Sequence, residues 1–147
     1  MKLSRFFSYT LLVPAALVMT GLTAGRASAQ LYSPISLPNS REITDTLSEQ
    51  DIPTGFGGFA RDYVVELQEG DQITIDAISE EFDTLVTLMN TNGITISEND
   101  DGPDGTTNSL LFARITETGK YTVRVRSYAG EGSGEFSLKL ARLRPIE

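Results

Sequence analysis

Apolar residues recur at every second position through most of this chain. Tyr63, Val65 and Leu67 form one such series, and Ile73, Ile75 and Ala77 alternate with Thr74 and Asp76 in the next. A period of two places alternate side chains on opposite faces of a strand, so both segments are predicted as half-buried strands. Gln68-Glu69-Gly70-Asp71 lies between them and reads as a hairpin connection carrying a glycine. Leu85-Val86-Thr87-Leu88-Met89 shows no clean alternation, as expected of a strand covered on both faces. Asn92-Gly93 follows, the strongest short hairpin signal because both residues tolerate positive φ, and Ile94-Thr95-Ile96 returns. Leu110 to Ala113 makes a further strand, and Glu117-Thr118-Gly119-Lys120 another turn. Tyr121, Val123 and Val125 then alternate with Thr122, Arg124 and Arg126, and Phe136 to Leu140 closes the series after a glycine-rich loop. With Ile43 to Leu47 at the front, about eight short strands are predicted at regular spacing, and no window has a helical period. An all-β fold, an antiparallel β-sandwich, satisfies this pattern.

The first 29 residues break it. Lys2 and Arg5 precede an apolar run from Leu11 to Met19, and Ala27-Ser28-Ala29 ends the segment. A basic start, a short apolar core and an Ala-x-Ala site make a secretory signal peptide; the run is shorter than the ~20 residues a membrane span needs. No cysteine sits at the cleavage site and no Arg-Arg pair precedes the run, which favours the general export route over lipid anchoring or twin-arginine export. The mature chain is expected to begin at Gln30, in the periplasm or the medium, with no membrane span after the signal is removed. Residues 30–40 hold Pro34 and Pro38 and read as an extended, loosely held lead-in. Residues 41–143 form the sandwich domain and 144–147 a short tail. Within the domain, Ser48 to Phe59 is a long irregular connection; its Phe56 and Phe59 are expected to cover the open end of the sandwich, the commoner use of such residues, with an exposed aromatic contact surface as the alternative.

Charge narrows the partners. Removing Met1 to Ala29 takes away three basic residues and no acidic one, leaving nine basic, twenty acidic and a net charge of −11. That balance argues against nucleic acid and anionic membranes. Sixteen acids and one base, Arg61, lie between Glu42 and Asp104, whereas Arg114 to Arg144 holds seven bases and three acids. Two such halves can attract each other across the fold; the alternative is a dipolar surface that orients a partner. The chain has no cysteine and no histidine. It therefore folds without disulfides, and no Ser-His, Cys-His or His-metal centre can be built from it. Asp45-Thr46-Leu47 and Asp83-Thr84-Leu85 stop short of an aspartic-protease Asp-Thr-Gly, and no glycine-rich phosphate loop has the required spacing.

Tyr63-Val64-Val65-Glu66-Leu67 with Gly70-Asp71, Phe82-Asp83-Thr84, Asn92-Gly93, Asn99-Asp100-Asp101, Thr118-Gly119-Lys120-Tyr121-Thr122-Val123 and Gly134-Glu135-Phe136-Ser137-Leu138 occur in an order and spacing that resemble the bacterial pre-peptidase C-terminal domain. The resemblance runs from about Arg41 to Leu143. It implies a jelly-roll-like β-sandwich similar to the collagen-binding modules of collagenases, usually appended to secreted proteases, with calcium held by some members. It also implies an accessory role without catalysis of its own. No peptidase accompanies this domain, so a free-standing accessory or binding module is expected, for a protein or polysaccharide partner outside the cytoplasm.

The acidic loop Asn99-Asp100-Asp101-Gly102-Pro103-Asp104-Gly105 is the candidate site. If Asn92-Gly93 closes a hairpin, antiparallel pairing sets Asp83 opposite Asp100 to Gly102. Carboxylates brought together this way repel unless a cation or several donors compensate. Asp83, Asp100, Asp101 and Asp104, with Asn108, are hard oxygen donors suited to calcium. Alternatively, Asp83 and Asp101 accept hydrogen bonds from loop amides and from Thr106, Thr107 or Ser109, leaving Asp100 and Asp104 solvated. The spacing is not that of an EF-hand.

Two further groups each admit a functional and a structural reading. Arg124, Arg126 and Lys139 could make a basic stripe for an anionic polysaccharide, or a solvated face paired with cross-strand acids. Glu80-Glu81 near Asp83 could suggest a small carboxylate-dependent hydrolase, although a sandwich of this size offers little cleft for a sugar chain. The expected function is non-catalytic binding, with a calcium-stabilised structural module as the alternative.

Overall fold

The structure is a computed structural model that describes residues 32–38 and 42–143. The signal peptide expected at 1–29 and the tail at 144–147 lie outside the described residues, as do Gln30, Leu31 and residues 39–41. Ten strands are present among the described residues: β1 (Ile35–Ser36), β2 (Glu42–Leu47), β3 (Ile52–Pro53), β4 (Phe59–Leu67), β5 (Gln72–Ile78), β6 (Thr84–Met89), β7 (Thr95–Asn99), β8 (Ser109–Arg114), β9 (Gly119–Ser127) and β10 (Gly134–Leu143). The eight longer ones are those predicted from the sequence; β1 and β3 have two residues each.

They form two sheets. One runs β1-β4-β9-β6-β7, with β3 also pairing on β4, and the other runs β2-β10-β5-β8. All pairs are antiparallel except β1 with β4. The inward residues of both sheets make one core containing Tyr63, Leu67, Ile73, Ile75, Val86, Leu88, Leu111, Val123, Phe136 and Leu138. Phe136 sits edge-on to Tyr63 and Phe82, with ring centroids 6.4 and 6.1 Å away, a favourable arrangement for aromatic quadrupoles. The continuous burial of β6 has a specific cause. Val86 and Leu88 face the core, while Leu85 and Thr87 lie directly opposite Arg126 and Arg124, whose aliphatic stems share their outer face.

The fold corrects three expectations. Gln68 to Asp71 does form a turn, closed by the Gln68 amide on Asp71 Oδ2 at 2.9 Å, but it joins β4 in one sheet to β5 in the other. Glu117 to Lys120 likewise links β8 to β9 across the sandwich. The first is therefore not the hairpin expected, because β4 and β5 each find their hydrogen-bond partners elsewhere. Lys139 lies on β10, in the sheet opposite Arg124 and Arg126, so the three residues share no stripe. The lead-in is tied down over its described part: β1 pairs in parallel with Tyr63 and Val64, and Leu37 donates its amide to Val64 O and is 3% exposed.

Candidate functional site

The Asn92-Gly93 hairpin is present and sets the site. Gly93 has φ +76°, and Asn90 Oδ1 accepts the Asn92 and Ile94 amides at 3.0 Å each. Val86 then pairs with Asn99, which carries Asp83 to the level of Asp100 and Asp101. The Asp83 carboxyl is raised above its ordinary pKa by burial first, then by the charges of Asp101 and Asp100. Its Oδ1 is buried without a hydrogen-bond partner.

Other groups of the loop have partners. Thr106 donates its amide and hydroxyl to Asp104 Oδ1 at 3.2 and 2.9 Å, which holds this exposed carboxyl below its usual range. Asn108 Oδ1 accepts the Ser79 amide at 3.0 Å. The loop base is pinned by Thr84 and Ser109, whose hydroxyls lie 2.9 Å apart in a buried network reaching Ala77 O, Thr84 O and Asp100 O. Thus Asp104, not Asp83, takes the donors offered by Thr106. For calcium, Asp83 offers a buried oxygen without a hydrogen-bond partner on a carboxyl that feels the charges of Asp101 and Asp100, while Asp104 and Asn108 are committed to neighbouring donors. No three acidic side chains among the described residues gather closely enough to hold a metal ion. Glu81, one of the two adjacent glutamates, accepts the Glu135 amide at 2.9 Å.

The basic residues of the late strands pair with early acids. Arg124 forks onto Asp62, its cross-strand partner, at 2.7 and 2.8 Å; Asp62 is 4% exposed and also accepts the Tyr32 hydroxyl at 2.6 Å. Burial and this bond lift the Tyr32 hydroxyl to about 12. Arg142 reaches Asp71 at 3.0 Å, and Arg126 lies 3.9 Å from Glu98. Arg61, the single base of the acidic half, holds Asp45 at 2.8 Å and Asp51 at 2.6 Å.

Four connections gather at one end of the sandwich: residues 48–58, 79–83, 100–108 and 128–133. Backbone contacts join them. Tyr128 donates its amide to Asp83 O at 2.8 Å, and Thr84 donates to Thr107 O at 3.0 Å. Gly57 and Gly58 lie so close to Gly130 that a Cβ on Gly130 would stand 2.5 Å from Gly57 O. The two phenylalanines of the first connection separate. Phe59 packs against the core, while Phe56 is 95% exposed and covers nothing. Its neighbouring loop carries exposed Tyr128 and Ala129, the single non-glycine residue with positive φ among the described residues, at +53°. The alternation pattern gave no sign of this juxtaposition; the glycines bracketing Phe56 and preceding Glu131 were its one local trace.

Among the described residues no helix is long and apolar enough to cross a membrane. Residues 60–127 match the family model of the bacterial pre-peptidase C-terminal domain. No curated protein sequence matches the chain. Among solved structures, the pre-peptidase C-terminal domain of collagenase from Bacillus anthracis is similar at 13% identity and a TM-score of 0.57, covering 76% of this chain and 97% of that one. PliG of Aeromonas hydrophila, a periplasmic inhibitor of g-type lysozyme, is similar at 14% identity and a TM-score of 0.57, covering 76% of this chain and 96% of its own. At such identities the likeness is one of fold.

Proposed function

We propose, on the premise that this chain carries a bacterial pre-peptidase C-terminal domain, that it is an exported, non-catalytic module that binds a protein or glycan outside the cytoplasm. One observation carries this reading: the same sandwich occurs as a domain of a collagenase and as a periplasmic lysozyme inhibitor, two proteins whose work involves another macromolecule. The filled core and the lack of histidine and cysteine support it, because they leave few means of nucleophilic or metal-centred catalysis. The basic start and Ala27-Ser28-Ala29 support export.

The test uses the mature chain, residues 30–147. Its binding to g-type lysozyme, collagen and bacterial glycans is measured by interferometry, beside turnover assays on peptide and glycan substrates. Saturable binding without turnover is expected. Turnover abolished by Asp83→Asn in a folded protein would replace this reading with a carboxylate-dependent hydrolase. Amino-terminal sequencing of the extracytoplasmic protein is expected to begin at Gln30.

A second reading, compatible with the first, is stabilisation by calcium at Asp83, Asp100, Asp101 and Asp104, which would have to draw closer together than they stand here to hold the ion. The unpartnered Oδ1 of Asp83 favours it. Added calcium would then raise the melting temperature, and an unchanged curve at millimolar calcium would dispose of it.

A further inference from the structure

The four-loop end has two properties that the packing of the domain does not require. Phe56 leaves 95% of its surface in water, although burying a side chain of this size is strongly favourable. It is also held in that position. Thr54 donates its hydroxyl to Gly57 O at 2.5 Å and its amide to Gly58 O at 3.2 Å, closing a turn with Phe56 at its tip. Gly57 and Gly58 rest against Gly130, and Gly130 belongs to the turn whose preceding residue, Ala129, takes a left-handed conformation unusual for alanine. A ring displayed by a braced turn loses little conformational freedom when it enters a partner.

The second property is charge. The four connections hold nine carboxylates and no lysine or arginine. The nearest strand-borne cations, Arg61 and Arg126, face Asp45, Asp51 and Glu98. Tyr128 and Arg126 line a recess of about 360 Å³ beside this end, with Leu85, Glu98, Asn99 and Asp100.

We propose that this end is a docking surface for a cationic protein, with Phe56 inserting into an apolar recess of the partner while the surrounding carboxylates steer its approach. The proposal rests on the reading of the chain as a binding module and names the class of partner. Charge complementarity selects a basic partner, because an acidic or neutral one gains nothing from this field. An exposed aromatic displayed on an end whose loops carry only acidic charge can concentrate binding energy in one residue.

The experiment measures association and dissociation of the mature chain with three cationic, cleft-bearing probes, g-type lysozyme, c-type lysozyme and ribonuclease A. Serum albumin is the acidic control, and chitin oligomers are the glycan arm. At least one cationic probe is expected to bind, more weakly as salt rises from about 0.05 to about 0.5 M. Phe56→Ala is expected to weaken that binding about 10- to 100-fold with the melting temperature unchanged. Glu131→Lys is expected to slow association severalfold at low salt, with the difference vanishing at high salt. Binding that ignores both substitutions places the docking surface elsewhere. Phe56-dependent binding of chitin oligomers alone overturns the protein partner. If no cationic probe binds at low salt, the cationic partner class is wrong; the binding-module reading falls only if collagen, neutral proteins and glycans fail as well.

Discussion

Tyr63 donates its hydroxyl to Asp45 Oδ2 at 2.8 Å, and this bond ties a fully buried ring of one sheet to the edge strand of the other. Arg61 reaches the same oxygen at 2.8 Å. Burial by itself would raise the Asp45 carboxyl, but the Thr46 amide, the Tyr63 hydroxyl and Arg61 together hold it below its ordinary value. Tyr63 is pushed far above the tyrosine range by burial and by the bond to Asp45.

Tyr63→Phe keeps the ring and removes the donor. The expected loss is about 1.5–3 kcal/mol by urea unfolding, the range for a hydrogen bond to a charged group. The pH dependence follows from the two shifts. The depressed pKa of Asp45 stabilises the fold above its unfolded value near ~3.9, and that contribution is lost as pH falls through the lower folded value. The raised pKa of Tyr63 stabilises the fold below about pH 10 and is progressively lost above it. Both dependences should flatten in Tyr63→Phe.

Asp62 and Arg124 offer a sharper test, because their partnership is buried on the carboxylate side. Arg124→Leu leaves Asp62 with Tyr32 alone and is expected to cost about 3–5 kcal/mol. Adding Asp62→Leu should recover most of that loss, because the stranded charge is gone. A double variant no more stable than Arg124→Leu would show that the pair contributes through packing instead.

Gly130 and Gly55 both have positive φ, yet they differ in surroundings. A methyl group on Gly130 would meet Gly57 O, whereas nothing lies within 4 Å of the corresponding position on Gly55. Gly55→Ala is expected to cost about 1–2 kcal/mol through the backbone alone. Gly130→Ala should cost more and also shift the amide resonances of Thr54 to Phe59, because the turn that carries Phe56 must move.

Asp83 reports on the acidic loop. Its raised pKa means that ionisation costs the folded state more than the unfolded one. The penalty is present above the folded pKa and relieved as pH falls through it. Asp83→Asn is therefore expected to raise the melting temperature by a few degrees at neutral pH without calcium, and the gain should shrink as pH falls into the carboxylate range. With calcium the sign separates the two readings: if the cation binds there, Asp83→Asn removes its stabilisation and the gain becomes a loss.

Strand positions were legible from alternation, because a half-buried strand writes its two faces into the chain with a period of two. Leu85 to Met89 stood out by its lack of alternation, because a strand covered on both faces is apolar on both. The approach of Asp83 to Asp100 and Asp101 was legible as well, since Asn92-Gly93 determines the register of a local hairpin and the strand ends follow. Turn chemistry, however, is the same whether a chain folds back on its own sheet or crosses to the other. Gln68 to Asp71 therefore resembled a hairpin, and Lys139 was placed beside the wrong arginines. Which strands pair depends on how distant apolar faces close over one another, and no local signal carries that choice. The fates of Phe56 and Phe59 depended on it too. One ring reached the core, and the other was left in water by a glycine contact spanning more than seventy residues of chain.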